Sequence, residues 1–206
     1  MSIRSRSSAR RYPAAVEEEE TETETEAQPD PQAEARRRVA LAQIRQYPDP
    51  ALRLRANEVE QFDEHFERLV RRLTELMHDA HGVGLAATQV GVLQRVFVFL
   101  KDEDDEGTAI VNPVITARSD ETEIEEEGCL SLQNVRVPVE RNVTVTIEGQ
   151  DATGAPLRLE LEDLRSRVAQ HELDHLDGVL MIHRTDDEAR KRALGILRAQ
   201  PVLGGR

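Results

Sequence analysis

Apolar residues recur at helical spacing at Phe62, Phe66, Leu69, Val70, Leu73, Leu76 and Met77, while Asp63, Glu67, Arg71 and Glu75 fill the opposite face. That periodicity predicts an amphipathic helix whose stripe joins a core. After Arg95 the run VFVFL predicts a buried strand, and the acidic KDEDDEG that ends it predicts a solvated loop. AIVNPVI predicts a second strand. Further on, Val143, Val145 and Ile147 alternate with threonines, Leu157, Leu159 and Leu161 alternate with charged residues, and DATGAP lies between them. Alternation on both sides of a Gly/Pro turn predicts a hairpin. Two more helices are expected, from about Asp163 to Leu176 and from about Asp186 to Ala199. Helices and short strands mix without regular βαβ alternation, so the expected class is α+β rather than a doubly wound sheet.

Residues 1–38 break this pattern. They run from Ser/Arg-rich MSIRSRSSARR through EEEETETETEA to Pro29, Pro31 and Arg36 to Arg38, with no periodic apolar face. The expectation is a disordered charged tail over 1–38 and one folded catalytic domain over 39–206. A basic, Ser-rich start suits an organelle transit peptide, but the glutamate run opposes that use. The chain is 38% hydrophobic and 33% charged, with no apolar run of membrane-spanning length, so no membrane role is expected. A net charge of -13 disfavours nucleic acid except at a local basic patch. The single cysteine excludes an intramolecular disulfide, no apolar leader is read, and a reducing cytoplasm is the expected location.

HELDH at 171–175 carries the strongest chemical signal. Residues four apart on a helix differ by about 40° in direction and about 6 Å in height, so one metal ion can take both His171 and His175. Leu164, Val168, His171 and His175 continue one stripe, which predicts that both imidazoles point inward. A catalytic zinc-type site usually has three protein ligands and keeps a position for water. Glu188 and His183 follow the motif without forming a recognisable third-ligand pattern, and Cys129, in EEEGCLS, is by default a small buried hydrophobe.

GVGLAATQ at 82–89, EGCLS at 127–131 and QHELDHLDG at 170–178 together resemble the three signature motifs of peptide deformylases. The resemblance runs from about Ile44, through QYPDPALR, to about Arg184. It implies a single compact domain of short mixed and antiparallel sheets packed around the HExxH helix. It implies that Cys129, His171 and His175 hold one divalent metal, Fe(II) in the cell with Zn(II) or Ni(II) in isolated samples. Glu172 would be the general base and acid for a metal-activated water attacking the formyl carbon of N-terminal formyl-methionine. Gln89 and the Leu130 backbone N–H would stabilise the oxyanion, and formate would be released. Gly82, Val83, Gly84 and Arg136 would line the path of the nascent peptide. Glu127 is expected to be a supporting acid and Arg167 a brace for the helix. After Cys-Leu-Ser the family commonly has an apolar residue, Pro and Gly, whereas this chain has Leu132, Gln133 and Asn134, so the shape of that loop is left open.

Two other classes share part of this pattern. An HExxH peptidase would need a downstream third ligand and no Cys129; a metal-stabilised binding module would show a broken catalytic set. Thr185-Asp-Asp-Glu188 has the form of a capping box, so a helix is expected to begin there. Arg190, Lys191, Arg192 and Arg198 make it basic, and Ala189, Ala193, Ile196 and Leu197 give it an apolar side. With the family's habit of docking on ribosomes through a C-terminal helix, this predicts a ribosome contact. His65, His78, His81 and His183 are expected to be structural.

Overall fold

The computed structural model describes residues 30–198 apart from 103 and 104. Expectations for residues 1–29 and for Ala199 lie outside the described residues. The architecture is α+β, and the VFVF segment shows why the sheet sits where it does. Strand β2 (Val96–Phe99) has all four residues buried. Val96 and Val98 face a cluster with Phe66, Leu73 and Met77, whereas Phe97 and Phe99 face one with Val168, Ala169 and Leu176. A strand covered on both faces reads as a continuous apolar run, without alternation.

The two covering elements are helices α2 (Glu64–Asp79) and α3 (Asp163–Leu176). Helix α2 begins where expected because the Asp63 carboxylate accepts from the Phe66 N–H at 2.9 Å. The five-stranded antiparallel sheet has the order β1-β2-β3-β6-β7. Its other strands are β1 (Gly84–Ala86), β3 (Thr108–Arg118), β6 (Thr144–Gln150) and β7 (Pro156–Glu162). The predicted β6–β7 hairpin is present, its turn fixed by Asp151, which accepts from the N–H groups of Thr153 and Ala155, and by Gly154 at φ +89°.

A separate two-stranded sheet pairs β4 (Thr122–Gly128) with β5 (Arg136–Asn142). It has no counterpart among the predicted elements, because the acidic β4 lacks an apolar alternation. Val137 and Val139 of β5 pack with Leu180, Met181, Ala189, Ala193 and Leu197, which seats the last helix, α4 (Asp187–Arg198).

Three expectations need correction. Helix α1 spans Pro31–Gln43, so the boundary at Val39 falls inside it; Asp30 caps it by accepting from the Gln32 N–H, and Pro31 stands in its first turn. Its Ala40, with Ile44 just beyond, enters the core cluster of α2, an anchor that two apolar residues in a charged segment do not advertise. The cap of α4 is Asp186, which accepts from the Ala189 N–H at 2.8 Å, whereas the Thr185 hydroxyl is buried without a partner. Ile196 of α4 and Leu164 of α3 are exposed, the latter at 59%. Leu164 lies in the first turn of α3, at the mouth of a cleft rather than under the sheet.

Candidate metal centre

Helix α3 presents both imidazoles to one pocket, as the four-residue spacing requires: the His171 and His175 ring centroids are 4.9 Å apart. The loop between β4 and β5 brings Cys129 against them, with Sγ 3.2 Å from His175 Nε2. One donor atom from each of Cys129, His171 and His175 falls within a 4.8 Å group. The Ser131 N–H points at the same sulfur from 3.4 Å. In the loop, Asn134 adopts φ +63°, so the turn needs no glycine at a position where asparagine is tolerated.

Glu127 fixes the tautomer of His171. Its Oε2 lies 3.0 Å from His171 Nδ1. Burial opposes its charge, yet the hydrogen bonds from His171 and Arg141 prevail and hold the carboxyl at about 2. A carboxylate only accepts, so Nδ1 carries the hydrogen and Nε2 is left to coordinate. Burial likewise opposes a charge on His171, but Cys129 and Glu127 raise its pKa well above the usual value; burial and the charge of His171 push His175 well below it. Two nitrogen donors and one sulfur donor thus share a pocket in which the negative groups beside His171 favour a cation. That donor set fits a divalent transition metal, and the carboxylate–histidine pair fits the support such sites use.

Glu172, one residue on, lies against Gly84 of β1 and lines the same cleft as Cys129 and His171. It is buried, its Oε2 has no partner, and burial lifts its carboxyl to about 7. Gly84 is what lets it lie there, since a Cβ at that position would stand 2.5 Å from Glu172 Oε1. The 3-10 turn Ala87–Val90 carries Gln89. Its carbonyl oxygen accepts from the Ala86 N–H at 2.8 Å, which turns the amide N–H group toward Ser131 Oγ, 3.1 Å away, and Cys129 Sγ, 3.7 Å away. Gly82, Val83, Gly84, Leu130 and Arg136 all line the same cleft of about 620 Å³. Gly82 packs under Leu130, where a Cβ would meet the leucine at 2.8 Å. The expected site residues therefore converge, with Val83 and Arg136 at the exposed rim. His65, His78 and His81 are exposed, and none of these or His183 joins the metal group.

Residues that sequence reasoning missed stand behind the donors. Arg141 donates to both oxygens of Glu127, at 2.9 and 3.0 Å, and to Asp174 at 2.6 Å; Arg184 closes on the other side of Asp174, also at 2.6 Å. Arg167 braces the helix as expected, donating to Glu127 Oε1 at 3.1 Å and to the Val139 and Glu123 carbonyls. The signal for Arg141 was its phase, since it continues the buried positions Val137 and Val139 along β5.

The polypeptide deformylase family model matches residues 41–191. Peptide deformylase 1 of Corynebacterium efficiens is 46% identical over 163 residues, covering 78% of this chain and 96% of that one. The crystal structure of a peptide deformylase from Legionella pneumophila superposes with a TM-score of 0.71 at 36% identity, covering 75% of this chain and 92% of that one. The structure of the Thermotoga maritima peptide deformylase gives a TM-score of 0.67 at 43% identity, with 69% and 96% covered.

Proposed function

The chain belongs to the polypeptide deformylase family, and on that premise we propose how its own residues divide the work of removing formyl from N-terminal formyl-methionine. The observation that carries the assignment is the convergence of Cys129, His171 and His175 beside a buried Glu172 and an oriented Gln89 amide. Cys129, His171 and His175 would hold one divalent ion, which when bound supplies a Lewis acid that makes water acidic near neutral pH. Thiolate and imidazole donors accept Fe(II), Zn(II) or Ni(II), and supply in the cell favours Fe(II) in this proposal.

Glu172 is the proton carrier. A divalent ion held by the three donors would lower its pKa from the value burial sets and favour the carboxylate. It takes a proton from the water that adds to the formyl carbon, then returns it to the departing amine nitrogen as the C–N bond breaks and formate leaves. The Gln89 amide and the Leu130 N–H donate to the oxyanion, and losing one such donor costs on the order of 3 kcal/mol of barrier. Val83 and Leu164, exposed apolar residues on the cleft wall, suit the methionine side chain. The test is formate release from formyl-Met-Ala amide, set against an internal peptide bond in the same chain. Cleavage of the internal bond would point to a peptidase instead.

Helix α4 extends the proposal to the ribosome. Ala189, Ala193 and Leu197 are buried, while Arg190, Lys191, Arg192 and Arg198 face outward on a chain of net charge -13. A basic strip of this kind suits a phosphate backbone. Co-sedimentation with ribosomes should weaken with salt and on replacing Arg190, Lys191 and Arg192 by Glu; binding indifferent to both would exclude the contact. Acting on nascent chains, the enzyme would work in the cytoplasm in this proposal. No described helix is long and apolar enough to cross a membrane.

A further inference from the structure

Helix α1 adds a wall to the cleft, and most of the helix precedes the span that matches the family. The match begins at residue 41, whereas α1 begins at Pro31. Leu41 packs against the same cluster as Leu130, and Arg37, one helical turn earlier, lies on the same face. Both line the cleft that holds Cys129 and His171. The three consecutive arginines of this helix differ in what they meet. Arg36 is exposed and stands 3.9 Å from Asp30, and Arg38 is exposed. Arg37 is half-buried, its Nε is buried without a hydrogen-bond partner, and among the described residues it makes no ion pair.

The other charges along the cleft are largely committed. Arg167 is engaged by Glu125 and Glu127, and Glu127 by Arg141 and His171. Arg136 and Glu126 remain at the rim on the β4–β5 side, opposite in sign. A partly desolvated guanidinium without an acceptor gains most from an anion that can take its fork of N–H groups, and a carboxylate has that geometry.

We propose that Arg37 is a specificity residue of the cleft that selects a carboxylate in the peptide downstream of formyl-methionine. The inference rests on the deformylase reading above. With the formyl group at the metal ligands, the chain leaves along the cleft at about 3.3 Å per residue, so an Asp or Glu a few positions on, or the terminal carboxylate of a short peptide, reaches the α1 wall. Arg37 lies just before residues 41–191, the span that the family model matches.

The test uses the full metal-loaded chain and C-terminally amidated peptides, formyl-Met-Ala-X-Ala and formyl-Met-Ala-Ala-X, with X as Glu, Gln or Lys. Comparison of amidated with free-acid formyl-Met-Ala-Ala separates a side-chain carboxylate from a terminal one. In at least one register kcat/KM should favour Glu over Lys by about 2- to 5-fold, the range an ion pair open to solvent supports. The ratio should survive Arg37→Lys and fall to one or invert in Arg37→Glu. If the wild-type chain releases no formate from formyl-Met-Ala-Ala amide at all, the deformylase reading itself fails. If it turns that peptide over but treats Glu, Gln, Lys and free-acid peptides alike, or keeps its preference in Arg37→Glu, the role given to Arg37 is overturned.

Discussion

Gly84 has no room for a side chain, because a Cβ there would stand 2.5 Å from Glu172 Oε1 and 2.9 Å from Val168 Cγ1. Gly84→Ala should therefore push Glu172 out of line: we expect kcat to fall at least about tenfold, since a 1 Å misplacement near the chemistry costs on that scale or more. Metal content should stay at wild-type level, so the two readouts separate displacement of the proposed base from loss of a bound ion. Glu172→Gln keeps the shape and removes the acceptor for a proton. Turnover should drop roughly 100- to 10,000-fold with metal retained. A fully metallated Glu172→Gln enzyme within a few-fold of wild type would move the proton transfer to another group. At Cys129 the expectation reverses: Cys129→Ser exchanges a thiolate donor for a neutral hydroxyl, and metal affinity measured by chelator competition should fall before any question of rate arises.

The β4–β5 hairpin and α3 meet through charge rather than through apolar contact. Arg141 joins Glu127 of the hairpin to Asp174 of the helix, all three buried. Arg141→Met should destabilise the fold by about 3 kcal/mol, at the lower end for a broken buried pair because Arg167 still reaches Glu127 and Arg184 still reaches Asp174. Equilibrium unfolding in urea would measure it. The depressed carboxyl of Glu127 gives the pH dependence its sign. Its folded pKa of about 2 lies below the ordinary carboxyl value of 4.5, so its contribution is complete above about 4.5 and is lost as pH falls toward 2. Chelator-treated protein should lose on the order of 3 kcal/mol over that window from this group, and the slope should flatten in Glu127→Gln.

This pairing also marks where the sequence could be read and where it could not. The α2 stripe, the β6–β7 alternation and the HELDH spacing follow from local periodicity, and each appears in the fold. The β4–β5 pairing is set by partners far along the chain: Glu127 reads as one acid in a run until Arg141, 14 residues away, and His171, 44 away, close on it. Asp174 was hidden inside the motif that drew attention to its neighbours.

At the scale of the whole molecule, α1 is part of the body, not of the tail. A chain beginning at Asp30 should match the full chain in stability, while one beginning at Val39 keeps only the last five residues of α1, too few for a stable helix, and should loosen Ala40 and Ile44. Thermal melts of the two would decide, and equal Tm values would return α1 to the tail. Strand β2 sits at the other extreme. Its amides are bonded to β1 and β3, and its side chains are covered by α2 on one face and by α3 on the other. Its slowest amide protons should therefore exchange with solvent deuterium only when the whole domain unfolds. Those few protons become an internal gauge of global stability. Because α3 carries two of the proposed ligands, adding metal to the chelated protein should slow their exchange by the factor 1 + [M]/Kd, reading metal affinity from a strand that never touches the ion.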